Sequence, residues 1–333
     1  MSISIIDDRA RWDSFVSTSP DKLLYFQWDF LKIIEKHSGY TLFPYGVFDD
    51  RTKELLSIFP LFYYKKWGMK FVFSQPPRSL IPYMGFLMNP GYYSLPQHDK
   101  ETYLNQVVEG ITREIGGISP NYTYISLSPQ IQDIRPFIWR GFDTQVQYTY
   151  TIDVTLPLES IWIAFNRSVR NRVRSAEKHH IVLQETTDTT TFLSIMQDRY
   201  RQQGLNFPIF GLDYLNDILT QFPQNLKMFF IYDNDAVINL GTYFDYNSRK
   251  LLWIGGVSID KTIPSNEFLI WELIKKSKAE GIKILDFGGA DTERLCFFKS
   301  KFNPSLESSF SIIKKDLIGK TSEFVYLTMV KRE

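Results

Sequence analysis

An internal repeat places the strongest limit on the folds open to this chain. Residues 40–154 and 226–314 contain the same succession of predicted elements: three strands joined by turns, a loop, a helix, a strand, a short helix and a closing strand. β-Branched and aromatic residues are enriched in the strand segments. Any meander followed by a helix and a strand would look similar, so unrelated halves are the alternative. The repeat predicts an α+β protein with mixed sheets flanked by helices, and domains at residues 1–154 and 155–333.

The composition excludes several classes of protein. The 333 residues are 44% hydrophobic and 23% charged, as in soluble globular proteins. A net charge of +1 gives no overall attraction to nucleic acid or acidic lipid, so any such affinity must be local. The single cysteine, Cys296, cannot form an internal disulfide, and the four histidines lack zinc-site spacing. The histidine spacing therefore predicts a protein free of metal. The residues near the N-terminus are acidic where a signal peptide has basic ones, so the chain is predicted to be cytoplasmic.

The tripeptide Asp286-Phe287-Gly288 also occurs in protein kinases, where its acid binds magnesium. A kinase further requires a glycine-rich phosphate loop, a strand lysine and a catalytic loop, and the sequence contains none of these motifs. The 45 residues after Gly288 (333 minus 288) are too few for an activation loop and a helical lobe. The segment therefore has another purpose.

Two glycines follow the predicted buried strand that ends near Asp286. Gly288 and Gly289 are typical of a bulge or of a close backbone approach, and they would make room for substrate or for a neighbouring chain. Asp286 is a candidate catalytic base. A structural carboxylate that caps the next turn is the alternative.

A predicted helix over residues 160–180 carries a basic stripe opposite an apolar face. The stripe consists of Arg167, Arg170, Arg174 and Lys178. Like charges four residues apart repel, and the guanidinium group suits bidentate contacts with phosphate. The stripe therefore predicts a phosphate-bearing partner, either a precursor diphosphate or a tRNA backbone. The alternative is a solvated face, partly neutralised by Glu177.

Several segments resemble the Fem peptidyltransferases and the related FemAB-like acyltransferases. They are Gln27-Trp28, SIFPLFYYKK from residue 57, SVRNRVRSAEKHHI from residue 168, PSNEFLIWELIKKSKAEGIKILDFGG from residue 264 and FFKSKF from residue 297. The resemblance covers nearly the whole chain and implies two tandem domains of the Gcn5-related N-acyltransferase (GNAT) fold. It also implies transfer of an amino acid from aminoacyl-tRNA to an amine of a peptidoglycan precursor, without acetyl-coenzyme A.

The resemblance further implies site residues. Phe298 and Lys299 match a Phe-Lys pair whose cation acts on the developing charge of a tetrahedral intermediate or on the leaving ribose oxygen. The alternative for Lys299 is an ordinary surface lysine. Trp28 and Tyr83 are candidates for an acceptor groove, although most aromatic residues at such spacing belong to the core. The family's substrate-side loop often carries an acid where this chain has Asn89, which leaves the acceptor open.

The residues themselves argue against coenzyme A as the carrier of the acyl group. Residues 255–268 lack the Q/R-x-x-G-x-G/A loop that presents N–H groups to the pyrophosphate of coenzyme A, and Pro264 removes one donor. Two other functions stay open: an N-acyltransferase that uses acyl-coenzyme A or an acyl carrier on a sugar or lipid head group, and a non-catalytic RNA-binding or phosphate-binding protein.

The partners follow from this interpretation. The predicted partners are aminoacyl-tRNA and a phosphate-bearing precursor, such as a nucleotide-linked or lipid-linked muropeptide. Peripheral membrane contact and a monomeric state are also expected. No cofactor is predicted, because the donor is itself a substrate.

Overall fold

A computed structural model describes residues 1–321 and residue 323, which form two compact units. The first contains Met1–Val146, Pro208–Phe210 and the described residues from Ser309 onward; the second contains Gln147–Phe207 and Gly211–Ser308. This division departs from residues 1–154 and 155–333, because the end of the last strand pairs within the first unit. As a boundary between the two related halves, the division at residue 154 stays a prediction.

The first half of the repeat and the residues before it form regular elements up to residue 153. They are β1 (Ser2–Ile5), α1 (Arg9–Thr18), α2 (Trp28–Ser38), β2 (Thr41–Phe48), β3 (Leu55–Lys66), β4 (Met69–Phe73), β5 (Leu87–Met88), α3 (Pro90–Tyr93), α4 (Gln97–Ile118), β6 (Tyr122–Ser126), α5 (Arg135–Ile138) and β7 (Asp143–Asp153).

The elements of the second half follow from residue 158. They are α6 (Leu158–Ala164), α7 (Arg167–Ala176), β8 (Ile181–Thr186), α8 (Thr189–Arg201), α9 (Leu212–Gln221), β9 (Leu226–Asp233), β10 (Ala236–Tyr246), β11 (Arg249–Ser258), α10 (Ser265–Ala279), β12 (Ile284–Asp286), α11 (Glu293–Lys299) and β13 (Ser305–Lys315).

Each unit contains a mixed sheet. The strand order of the first is β1-β2-β3-β4-β6-β13, with β5 paired to β3, and the order of the second is β7-β12-β11-β10-β9-β8. β4 is parallel to β6, and β11 is parallel to β12. A parallel pair needs a crossover, which α4 provides in the first unit and α10 in the second.

The predicted order of elements is confirmed in both halves. The succession β2-β3-β4-α4-β6-α5 in the first half corresponds to β9-β10-β11-α10-β12-α11 in the second. The closing strands are exchanged, since β7 pairs with β12 and β13 pairs with β6. Each sheet is therefore completed by a strand from the other half of the sequence.

Each unit has its own hydrophobic core. In the first, α4 packs Val107 and Ile111 against the sheet residues Phe59 and Ile125. In the second, α7 and α10 pack against the sheet through a larger set of buried residues, which includes Val169, Val173, Leu269, Leu273, Phe229 and Leu285. The face of the second sheet that carries α7 and α10 is thus covered.

Candidate active site

The site lies where β11 and β12 separate. The two strands pair only along Arg249–Leu251 of β11. β12 then ends at Asp286, whereas β11 continues to Ser258. After Asp286 the chain passes through residues 287–289, which we call the glycine turn. The turn occupies the position that a longer β12 would fill.

Both glycines of the turn have left-handed backbones, with φ of 62° at Gly288 and 64° at Gly289. A Cβ on Gly288 would lie 2.5 Å from the carbonyl oxygen of Leu252, whereas a Cβ on Gly289 would have no atom within 4 Å. The close backbone approach that the sequence predicts is thus found at Gly288. L-residues with a side chain rarely adopt such φ values, so the turn depends on glycine.

Lys299 closes the glycine turn from the other side. Its Nζ donates hydrogen bonds to the carbonyl oxygens of Phe287, Gly288 and Gly289 at 2.8, 2.5 and 2.7 Å. An ammonium group has three N–H donors, so all three are used. Burial lowers the pKa of Lys299 to about 8, while the negative charge of Asp286 acts in the opposite direction. The group is therefore a stronger acid than an ordinary lysine.

Phe298 anchors the helix that carries Lys299. Its ring packs edge to face against the ring of Phe302, with 5.4 Å between centroids, and Phe302 is 1% exposed. Successive helical residues differ in direction by about 100°. Packing Phe298 toward the core therefore leaves Lys299 facing the glycine turn. The Phe-Lys pair places one residue against the core and the other on the turn.

Asp286 is completely buried. Its Oδ1 accepts hydrogen bonds from the hydroxyl of Thr149 at 2.6 Å and from the N–H of Gly288 at 2.9 Å. Its Oδ2 accepts from Nε and Nη2 of Arg249 at 3.1 and 2.8 Å, and Arg249 also pairs with Glu307 at 3.0 Å. A base must reach the proton that it abstracts. The geometry therefore favours the structural role that the sequence leaves open for Asp286.

Arg249 and Thr149 carry no sequence signal that identifies them as part of this site. Arg249 starts β11 after a turn, and Thr149 lies 137 residues before Asp286. A basic or hydroxyl residue at such a position is common. Only the pairing of β12 with β11 on one side and β7 on the other brings them to Asp286.

The helix predicted over residues 160–180 is in fact two helices, and the basic stripe is shorter than predicted, because its three arginines lie on the second helix and Lys178 lies beyond the end of that helix. α6 ends before Phe165, and α7 begins at Arg167. The side chain of Asn166 accepts a hydrogen bond from the N–H of Ser168 at 2.8 Å. Asparagine is a strong N-cap, because its oxygen satisfies an otherwise unpaired N–H. This cap starts a new helix and ends the preceding one.

The three arginines of the stripe have different surroundings. Arg170 donates through Nη1 to two carbonyl oxygens at the end of α6, at 2.7 and 2.5 Å. The guanidinium of Arg174 lies 5.7 Å from the ring centroid of Trp162. Arg167 is exposed, and its side chain makes no hydrogen bond or ion pair with the residues that the structure describes. Arg167 and Arg174 are thus the better placed to meet a ligand, whereas Arg170 stabilises a helix end.

The start of α7 is tied to the segment that carries Lys299. The N–H of Asn166 donates to the carbonyl oxygen of Lys301 at 2.8 Å. Lys301 belongs to the 3₁₀ turn that directly follows Lys299. Arg167, the next residue after Asn166, is therefore held near the Lys299 segment by a backbone contact.

Trp28 and Tyr83 lie in the first unit, each against another aromatic residue. Trp28 is half-buried at the start of α2 and packs against Trp12, with 6.1 Å between centroids. Tyr83 is 5% exposed and lies 6.2 Å from Tyr25. Such packing matches the alternative of core residues. A role in an acceptor groove stays a prediction for both.

Asn89, which stands where the Fem pattern often has an acid, holds two elements together. Its Nδ2 donates to Oε1 of Glu54 at 3.1 Å, and its Oδ1 accepts from the N–H of Tyr92 at 3.1 Å, which caps α3. A carboxylate has no donor for Glu54 and would place a like charge beside it. The amide is therefore suited to this position.

The N-terminus of α10 is occupied by side chains of the protein. Nδ2 of Asn239 donates to Oγ of Ser265 at 3.0 Å and to Oδ1 of Asn266 at 2.7 Å. Glu267 in the first turn is 7% exposed and accepts from Nε of Arg172 at 2.5 Å. An acid at a helix N-terminus takes the place that a diphosphate would use. This arrangement at the start of α10 agrees with the absence of a coenzyme A loop from the sequence of residues 255–268.

Alanine substitutions should distinguish the two glycines. We expect Gly288→Ala to lower the free energy of unfolding by about 3 kcal/mol or more, because the left-handed φ is joined by a clash with the carbonyl of Leu252. Gly289→Ala carries the φ cost alone, about 1–2 kcal/mol. Urea unfolding of both variants measures the difference. Equal losses would show that the contact with Leu252 relaxes freely.

Comparisons with known proteins agree with this architecture. The family described as an acetyltransferase (GNAT) domain matches residues 164–300, a range that contains α7, the glycine turn and Lys299. No curated protein sequence matches the chain significantly. The second half of the chain is therefore similar to GNAT acetyltransferase domains over this range.

Several solved structures resemble the chain over most of its length. The crystal structure of FemX has a TM-score of 0.69 at 14% identity, covering 93% of this chain and 97% of FemX. The C-terminal domain of a putative lysylphosphatidylglycerol synthetase from Agrobacterium fabrum has a TM-score of 0.58 at 10% identity, covering 96% and 94%. A tandem GNAT protein from the clavulanic acid biosynthesis pathway has a TM-score of 0.50 at 9% identity, covering 94% and 98%. The predicted tandem GNAT fold is confirmed, and the FemAB-like resemblance is supported at the level of the fold.

Proposed function

From the tandem GNAT fold, we propose that the chain transfers an aminoacyl group from aminoacyl-tRNA to an amine of a cell-envelope precursor. The observation that carries this proposal is the half-buried ammonium of Lys299, fixed on the glycine turn where β11 and β12 separate. A cation at a fixed position stabilises charge that develops during acyl transfer. A protein that only binds RNA or phosphate has no use for such a group.

The lowered pKa gives Lys299 a specific task. In the proposed reaction the acceptor nitrogen forms a bond to the acyl carbon, and the bond from that carbon to the ribose oxygen breaks. The leaving oxygen needs a proton, and the attacking nitrogen must lose one. A lysine with a pKa of about 8 is better matched to both transfers than one at 10.5. To reach the substrate, the ammonium gives up one of its three carbonyl partners.

The donor is inferred from two observations. The N-terminus of α10 holds Glu267 and internal hydrogen bonds where coenzyme A would place its diphosphate. One similar structure is named for a lysyl-phospholipid product, which is an aminoacyl rather than an acetyl compound. An N-acyltransferase using acyl-coenzyme A or an acyl carrier is the second candidate, and it is favoured by the acetyltransferase family that matches residues 164–300.

The acceptor is proposed to bear phosphate, as in a nucleotide-linked or lipid-linked muropeptide. Arg167 and Arg174 are seven residues apart on α7 and thus lie on one face, about 10 Å apart along the axis. Either the acceptor diphosphate or the tRNA backbone would meet these two guanidinium groups. A cytoplasmic, monomeric protein without cofactor or metal fits this proposal.

Donor preference and salt dependence test the proposal together. We expect label to pass from aminoacyl-tRNA, and not from acyl-coenzyme A, to an amine-bearing muropeptide. Arg167→Gln with Arg174→Gln should weaken binding of the phosphate-bearing substrate and lower the salt slope by roughly one unit per lost tRNA contact. Affinity is measured by titration at several salt concentrations.

Arg170→Gln is the matched control, because Arg170 binds carbonyl oxygens of α6. It should lower the melting temperature and leave the salt slope unchanged. Transfer from acyl-coenzyme A alone would favour the second candidate. If substrate affinity depended on salt concentration in the same way in all variants, the basic stripe would be an ordinary solvated face of the helix.

A further inference from the structure

The hairpin between β3 and β4 ends in an unusual residue for its backbone. Trp67 and Gly68 form the tip, with φ of 51° and 81°, and Lys66 pairs with Met69 across the hairpin. Two-residue tips of this kind prefer asparagine, aspartate or glycine at their first position. Tryptophan in the left-handed region is strained, and Trp67 is also 85% exposed. Neither backbone preference nor burial explains its presence.

The corresponding hairpin of the second half has a residue at its tip that is common in this backbone conformation. Between β10 and β11 the tip is Asn247 and Ser248, with φ of 52° and 60°, and Tyr246 pairs with Arg249. The two tips therefore have the same geometry at equivalent positions of the repeat. The first half carries tryptophan where the second carries asparagine. Strain retained at an exposed site suggests a role outside the fold.

Other exposed apolar residues lie at the same end of the sheet. Asn121 accepts from the N–H of Lys70 through Oδ1 at 2.8 Å and donates through Nδ2 to Asp316 at 2.7 Å. It thereby joins the start of β4 to the residues that follow β13. There Leu317 is 83% exposed and Ile318 is 55% exposed. Trp67, Leu317 and Ile318 are thus exposed apolar residues at the same end of the first unit's sheet, and we call them the apolar group.

Lysines accompany this apolar group. Lys65, Lys66 and Lys320 are exposed, and Nζ of Lys66 lies 4.5 Å from the ring centroid of Trp67. The nearby carboxylate of Asp316 is engaged by Asn121 and by the N–H of Gly319. Because the whole chain has a net charge of only +1, this basic surface is a local feature. We name these six residues, the three apolar and the three basic, the tryptophan end.

We propose that the tryptophan end docks on the surface of an anionic lipid bilayer. Tryptophan favours the head-group region, and lysine stems lie along apolar surface while their ammonium groups meet lipid phosphates. No helix in the described part of the chain is long and apolar enough to cross a membrane, so the contact is peripheral. The proposal is independent of the acyl transfer proposed above, since it concerns the first unit alone.

Vesicle sedimentation tests this docking without any measurement of activity. The full chain should bind vesicles of phosphatidylglycerol and phosphatidylcholine, and bind phosphatidylcholine alone much more weakly. Trp67→Asn should lower the partition coefficient on the order of tenfold, because the buried apolar area is lost. Lys65→Gln with Lys66→Gln should lower it about fivefold per lysine on anionic vesicles only.

Two controls make the outcome decisive. Trp67→Asn should melt at the same temperature or higher, since Asn247 already occupies the equivalent position without strain. Ile163→Ala removes an apolar side chain of the second unit that is 64% exposed on α6, and it should leave vesicle binding unchanged. Wild-type protein that stays in solution with anionic vesicles would overturn the proposal. So would dimers in light scattering that Trp67→Asn abolishes, because the surface would then join two copies of this chain.

Discussion

Replacing Lys299 by methionine is expected to slow single-turnover transfer by about 10²–10³-fold, the range for loss of one donor to a developing oxyanion. The apolar stem is kept, and substrate affinity should change little. The variant also leaves three carbonyl oxygens without their ammonium, which should cost about 1–3 kcal/mol of stability. Transfer is therefore measured well below the melting temperature of the variant, with aminoacyl-tRNA as donor.

The pH dependence separates a chemical role of Lys299 from a structural one. The ammonium form is lost as pH rises through about 8, so the rate should decline above that pH. In Lys299→Arg the guanidinium stays charged, and the decline should disappear while the rate stays below wild type. Wild-type rates in Lys299→Met would remove Lys299 from the mechanism.

Stability should follow pH in the opposite sense. The pKa of Lys299 is about 8 in the folded protein and near 10.5 in an unfolded chain, so between these values the unfolded chain binds more protons. The contribution of this site to stability therefore rises with pH across that window. Chemical unfolding at several pH values should show the rise in the wild type and its loss in Lys299→Met.

Asp286→Ala is expected to lower the free energy of unfolding by about 3–5 kcal/mol, because it leaves the largely buried Arg249 without its closest partner. It also removes the acceptor for Thr149 and for the N–H of Gly288. Urea unfolding measures the loss. Asp153→Asn on the adjacent β7 is the matched control, and a change within about 0.5 kcal/mol is expected there, because Asp153 is exposed.

Asp286→Asn tests whether Asp286 acts as the catalytic base in the proposed transfer. Its amide nitrogen would face the donors of Arg249, so the structural role predicts a loss of stability together with activity. An inactive variant that unfolds like the wild type would instead restore Asp286 as the catalytic base.

Much of the second unit was predictable because its signals are local. The order of strands and helices follows from residue patterns over 5–15 positions, and glycines marked the turn after Asp286. The end of the helix before Asn166 was also encoded locally, by a capping residue that the helical periodicity obscured.

The sequence by itself therefore determined the repeat, the element order and the glycine turn beside a Phe-Lys pair, since periodicity and backbone preference act between near neighbours. Only the tertiary structure decided that Lys299 binds three carbonyl oxygens, that Arg249 and Thr149 hold Asp286, and that the closing strands are exchanged. Those contacts join groups up to 193 residues apart, as in the pairing of Lys315 with Tyr122. Which donor meets which acceptor over such separations depends on strand pairing and packing, which no local pattern specifies.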